Sequence, residues 1–104
     1  EGAAIAKLHA MGFANIVVHR GAGGALASDG ESLEAVEAFP LDEIADVTGA
    51  GDAAVAGLIR GLLDGLPLAK AARLGQSAAS FKLGTVESVA HDLDLDKVKA
   101  RAGI

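Results

Sequence analysis

With 104 residues and a formal net charge of −5, the chain is long enough for one domain with a modest core and too short for two. It has no basic stripe, no Trp or Tyr and only three Phe, which argues against nucleic acid as a partner. The lack of cysteine excludes a disulfide frame and thiolate chemistry. No apolar run approaches the roughly 20 residues of a membrane span, and the first residues lack a signal-peptide pattern. The expectation is a cytoplasmic domain without a membrane partner.

Half of the residues are apolar, so the core must be built from Ala, Val, Leu and Ile. The 14 glycines are about double the usual share of about 7%. Many of them fall in two clusters, Gly21–Gly24 and Gly49–Gly51. The chain opens on Glu1, inside a helical pattern, which reads as a stretch cut from something longer.

Ile5, Leu8 and Met11 recur at three-residue spacing over residues 2–11, which predicts a short amphipathic helix stopped by Gly12. Asn15–His19 is a compact β-branched run and predicts a buried strand. Gly21–Gly24 must then be a tight loop. Ala25–Ser28 predicts a second strand, followed by the hairpin signal Asp29-Gly30. Ser32–Phe39 alternates only in part and is a weaker strand, ended by Pro40.

Residues 41–46 connect to Val47-Thr48-Gly49-Ala50-Gly51-Asp52. Ala53–Leu63 is apolar nearly all round, broken by Arg60, and so predicts a helix buried on most sides. Gly65 closes it. Pro67 suits the first turn of the next helix, which runs through Leu68, Ala72 and Ala79 toward Leu83 and ends at Gly84. A last helix, about 95–102, follows Asp94 as N-cap. Helix, strand, hairpin and three helices argue an α/β layer architecture. So few strands make an incomplete sheet, which must continue in residues absent here or in a partner chain.

Thr48 to Asp52 opens the long helix. Its first-turn amides have no internal partner, and the aligned peptide dipoles concentrate positive potential there. Glycines allow a ligand to approach the backbone closely. The product is an anion site suited to phosphate. A carboxylate is a poor phosphate ligand, but Asp52 beside that site suits proton removal from an attacking hydroxyl during phosphoryl transfer. On the short motif alone, an ordinary glycine loop with Asp52 set against the helix dipole serves equally well. No Lys-Ser/Thr follows, so the turn is not a Walker P-loop.

The fourteen residues Asp46–Ile59, DVTGAGDAAVAGLI, resemble the second signature of the PfkB/ribokinase family of kinases. Val17–Gly24 is similar to the family's strand and glycine loop along the nucleotide, with Gly21 and Gly24 on its two usual glycines. The resemblance covers nearly the whole chain. It implies the C-terminal, nucleotide-binding and catalytic part of a ribokinase-like α/β/α sandwich across residues 1–104, without the N-terminal acceptor-binding part. It implies ATP as phosphoryl donor, with Mg2+ to neutralise charge, and a sugar or nucleoside as acceptor.

Asp52 then matches the general base, and the amides of Ala50, Gly51 and Asp52, opened by Gly49, match the anion hole. His19, Gly21, Gly24, Thr48 and Gln76 fall at nucleotide-side positions. Asp46, Thr48, Gly84 and Ser88 fall where relatives hold a monovalent cation such as K+, although fewer residues separate Gln76 from Gly84 than in ribokinase. Arg73, Gln76, Ser80, Leu83 and Asp92-Leu93 are similar to pseudouridine kinases. The bland alternatives are that Asp46 and Ser88 satisfy turns, that Gln76 is a polar residue on a helix face, and that His19 is a solvent-facing strand end. The competing reading of the whole is an inactive module that binds nucleotide or self-associates through an exposed sheet edge.

Overall fold

The structure is a computed structural model that describes residues 2–39, 49–83 and 94–104. Helix α1 (Gly2–Ala10) leads into strand β1 (Ile16–His19), a 3₁₀ turn (Gly21–Gly23), and strands β2 (Ala25–Ser28) and β3 (Leu33–Val36). Helices α2 (Ala50–Leu63), α3 (Leu68–Leu83) and α4 (Leu95–Ala102) follow. The strands form an antiparallel sheet in the order β1-β2-β3, with Val17 opposite Ala27 and Ala27 opposite Glu34.

The stops read from the sequence act as expected. After α1, Gly12 takes a φ of 105° and the Phe13 amide donates to the Leu8 carbonyl at 3.2 Å. Gly65 ends α2 the same way, with Leu66 donating to Gly61. Both are helix ends in which a left-handed residue folds the chain back onto orphan carbonyls. Asp94 caps α4 by accepting from the amides of Asp96 at 2.8 Å and Lys97 at 3.3 Å. In the hairpin, Asp29 Oδ1 accepts from the amides of Glu31 and Ser32, which fixes the turn between β2 and β3.

Residues one row apart on the strands alternate between faces. The face carrying Val17, Ala25, Ala27 and Val36 packs on Ala72 and on the partly buried Leu58, Leu68 and Ala69. Helix α3 therefore covers β2 and β3, and Leu58 of α2 reaches the same cluster. A second cluster, Leu74, Ala78, Val98 and Ala102, joins α3 to α4. Polar ties reinforce that junction. Ser77 Oγ donates to the Val98 carbonyl at 2.7 Å, and Arg73 Nε donates to that of Ala102 at 2.6 Å. The Arg101 guanidinium stacks 3.7 Å from the Phe81 ring and donates to Ser80 Oγ.

Helices α2 and α3 run antiparallel at backbone contact. A Cβ on Gly57 would lie 2.7 Å from Gly75 Cα, and one on Gly75 would lie 2.3 Å from the Ala54 carbonyl oxygen. Gly61 meets Ala71 in the same way at 2.8 Å. Such closeness is available only where glycine on one helix faces glycine or alanine on the other.

Three expectations need correction. The apolar helix α2 is not buried on most sides. Only Ala54, Gly57 and Gly61 are buried, whereas Val55, Ile59, Leu62 and Leu63 are 43, 50, 42 and 79% exposed. One face of α2 meets α3, and among the described residues the opposite one carries the exposed Val55, Ile59, Leu62 and Leu63. In α1, Ile5 alone is buried and Met11 is exposed, because the helix rests on one corner of the sheet. In β1 only Ile16 is buried, the other residues being half-buried or exposed.

Two outcomes test this packing. Gly75→Ala should cost about 1–3 kcal/mol in denaturant unfolding, because the added methyl collides with backbone that has no rotamer to change. Gly2→Ala, in α1 with nothing within 4 Å, should leave stability no lower and raise it by at most about 1 kcal/mol. At the other end of α2, hydrogen bonding from Arg60 at 3.0 Å, then charge from Arg60 and Lys99, holds the Asp64 carboxyl below the usual carboxylate range. A depressed carboxylate stabilises the fold above its unfolded pKa and loses that effect as pH falls through its folded value. Asp64→Asn should therefore lower Tm slightly at pH 7, and the gap should close below roughly pH 4.

Candidate active site

Gly49 takes a φ of 84° immediately before α2, and no side chain caps the helix. The first intrahelical bond ahead of Asp52 runs from the Ala53 amide to the Gly49 carbonyl at 3.0 Å. The amides of Ala50, Gly51 and Asp52 precede it and have no partner within the helix. A Cβ built on Gly51 meets nothing within 4 Å among the described residues, so there is space beside the backbone on that side of the first turn. Asp52 stands in the first turn, exposed, where its charge also complements the helix dipole.

The glycine loop is more ordered than a bare loop. Residues 21–23 form a 3₁₀ turn in which the Gly23 amide donates to the Arg20 carbonyl and the Gly24 amide to the Gly21 carbonyl, both at 3.0 Å. Arg20 ties the turn down by donating from Nη2 to the Gly23 carbonyl at 3.1 Å and from its amide to the Gly24 carbonyl at 2.7 Å. Gly24 is buried with a φ of 80°, and a Cβ there would sit 2.1 Å from the Val36 carbonyl oxygen. Gly21, at φ 57°, faces open space. Arg20 stood inside the quoted motif without a role. A cation next to three glycines, able to reach their carbonyls, was the available signal.

The helix crossing brings these pieces together. Leu68 and Ala69 border a small cavity with Asp29 and Ser32, at the hairpin end of the sheet. Further along α3, Ala72 packs on Ala25 and Val36, and Arg73 lies 4.7 Å from the Phe39 ring. One more turn carries Gln76 to the end of the sheet that holds Gly24. The antiparallel contact of Gly75 with Ala54 sets the N-terminus of α2 at that same end. The Gly49–Asp52 mouth, the Gly21–Gly24 turn and Gln76 thus share one edge of the layers. Gln76 is buried, 6% exposed, rather than a surface residue, and His19 is exposed at the end of β1.

Asp46, Thr48, Gly84 and Ser88 lie outside the described residues. Among the described residues no group of three or more His, Cys, Asp and Glu could hold a metal ion. Likewise, no described helix is long and apolar enough to cross a membrane.

Residues 2–93 match the pfkB family of carbohydrate kinases. The chain belongs to the PfkB family. Its segment is 46% identical over 83 residues to 1-phosphofructokinase of Rhodobacter capsulatus, covering 79% of this chain and 25% of that protein. Arabidopsis thaliana ribokinase, solved with ribose and ATP, superposes with a TM-score of 0.88 at 22% identity over 99% of this chain and 33% of its own, which shows the ribokinase-like fold. Phosphofructokinase-2 of Escherichia coli, solved with potassium, superposes at 0.81 with 27% identity over 99% of this PfkB chain and 33% of its own. The chain spans about a quarter of the length of the curated relatives it matches.

The two glycines of the turn separate steric from conformational demands. Gly24→Ala should unfold the loop and destabilise the chain more than Gly21→Ala, whose cost is about 1–2 kcal/mol of left-handed strain. Thermal unfolding of both variants checks the order.

Proposed function

We propose that this PfkB chain carries the phosphoryl-transfer half of an ATP-dependent kinase acting on a hydroxymethyl group of a sugar, sugar phosphate or nucleoside. The observation that supports this most is the open, uncapped start of α2 with Asp52 in its first turn, set at the same edge as the Gly24 turn and Gln76. A helix mouth of this kind holds a phosphoryl group by amide donors that are already oriented.

In the reaction, the Asp52 carboxylate takes the proton of the acceptor hydroxyl. The acceptor oxygen bonds to the γ-phosphorus of ATP as the bond to the bridging oxygen of the leaving ADP breaks. The amides of Ala50, Gly51 and Asp52 neutralise charge on the equatorial oxygens. Gly24, which admits no side chain, leaves backbone available along the nucleotide, and Gln76 presents an amide toward its base. Magnesium, when bound, supplies further charge neutralisation on the phosphates. A monovalent cation at Asp46, Thr48, Gly84 and Ser88 would strengthen the mouth from behind, as the potassium of the Escherichia coli neighbour suggests.

The acceptor is the open part of the proposal, and pseudouridine is the specific candidate that the 73–93 pattern favours. The test is phosphorylation by the whole gene product with pseudouridine, ribose, adenosine and fructose 1-phosphate as acceptors. One of these should be turned over with ATP. Asp52→Asn should then cut turnover about 10²–10⁴-fold with ATP affinity nearly unchanged. Equal turnover by the variant would remove Asp52 from its role.

A further inference from the structure

Helix α3 and strand β3 leave between them a cavity of about 340 Å³, at the lower end of the size range of small-molecule sites. The Gly21–Gly24 turn, Gln76 and the start of α2 take no part in its lining. Glu34 stands opposite Ala27 in the register and so lies on the face of the sheet that α3 covers. Glu37 follows just past the end of β3. The facing wall is α3, where Lys70 and Arg73, three residues apart, share one side of the helix. Val36 and Ala69 add apolar lining between the charges. Among the described residues, Glu34, Glu37 and Lys70 form no hydrogen bond or ion pair, and Arg73 commits only its Nε, to the Ala102 carbonyl. The adjoining cavity toward Asp29 has about 60 Å³, room for water only, and Asp29 already holds the Glu31 and Ser32 amides.

We propose that this cavity binds a small zwitterion of the ω-amino acid kind. Its carboxylate lies toward Lys70 and Arg73, its ammonium toward Glu34 and Glu37, and its methylene stem along Val36 and Ala69. The charge pattern selects for both ends at once. A plain anion gains at α3 and is repelled at β3, and a plain cation meets the reverse. An uncharged solute would displace water from four charged groups without replacing its hydrogen bonds. Only a ligand that carries both charges, set apart by an apolar stem, gains along the whole cavity. The site shares no residue with the phosphoryl-transfer edge, so it stands whether or not Asp52 acts as a base.

The test is titration of the ¹⁵N-labelled chain with 6-aminohexanoate, and in parallel with pentanoate and with pentylamine at matched ionic strength and pH. 6-Aminohexanoate should give saturable amide shifts at Glu34–Glu37 and Ala69–Arg73, with one common Kd of about 1 mM. Each singly charged analogue should bind about three- to tenfold more weakly. Lys70→Ala and Glu34→Gln remove groups without a partner in the chain, so both should leave Tm unchanged. Each should weaken 6-aminohexanoate by the same three- to tenfold or so. Lys70→Ala should do so without weakening pentylamine, and Glu34→Gln without weakening pentanoate. The proposal is overturned by shifts that do not saturate or that fall on other surfaces. It is equally overturned if either analogue binds as tightly as the zwitterion, or if both folded variants keep the full affinity.

Discussion

The arrangement depends on the backbone contact between α2 and α3. Gly57, Gly61 and Ala54 on one helix meet Gly75 and Ala71 on the other so closely that a single methyl has nowhere to go. That contact is short range and steric, hence stiff, because close-packed backbone cannot relax as a side chain can. It sets how far the start of α2 stands from Gln76 and from the sheet beneath α3. A phosphate-binding helix mouth is useful only if the nucleotide base and the glycine turn keep a constant distance from it.

The sheet contributes the second anchor. Ala25, Ala27 and Val36 pack under α3, and the Gly24 turn is drawn against the end of β3, where its missing side chain lets it touch the Val36 carbonyl. Arg20 then fastens the turn from the strand side. Helix α4 holds the far side of α3 through Ser77, Arg73 and Arg101 rather than by apolar burial alone. These bonds orient α3, and through the crossing they orient α2.

Much of this was legible in the residues. Glycine stops located the ends of α1 and α2, because a left-handed terminus selects glycine, and Asp94 announced α4 as its cap. The DVTGAGD run, whose Gly49–Asp52 end is described, marked the family, and the phosphate mouth proposed for it rests on that same run. The burial of α2 was misread, since an apolar surface declares that it will be covered and not by what. The described residues cover only the narrow glycine face. Arg73 over Phe39 and Arg101 over Phe81 were also hidden, because such pairs join residues 34 and 20 positions apart with no periodic signal. Asp46, Thr48, Gly84 and Ser88, expected beside a monovalent cation, lie outside the described residues.

The central claim is that the amides opening α2 bind phosphate together with the glycine turn. Titration of the ¹⁵N-labelled chain with ATP, read residue by residue, tests it directly. The account predicts saturable shifts at Gly51 and Asp52 that track those at Gly21–Gly24 and the Gln76 side chain, with one common affinity. Shifts confined to other surfaces, or movement of the glycine turn with the start of α2 unaffected, would contradict it.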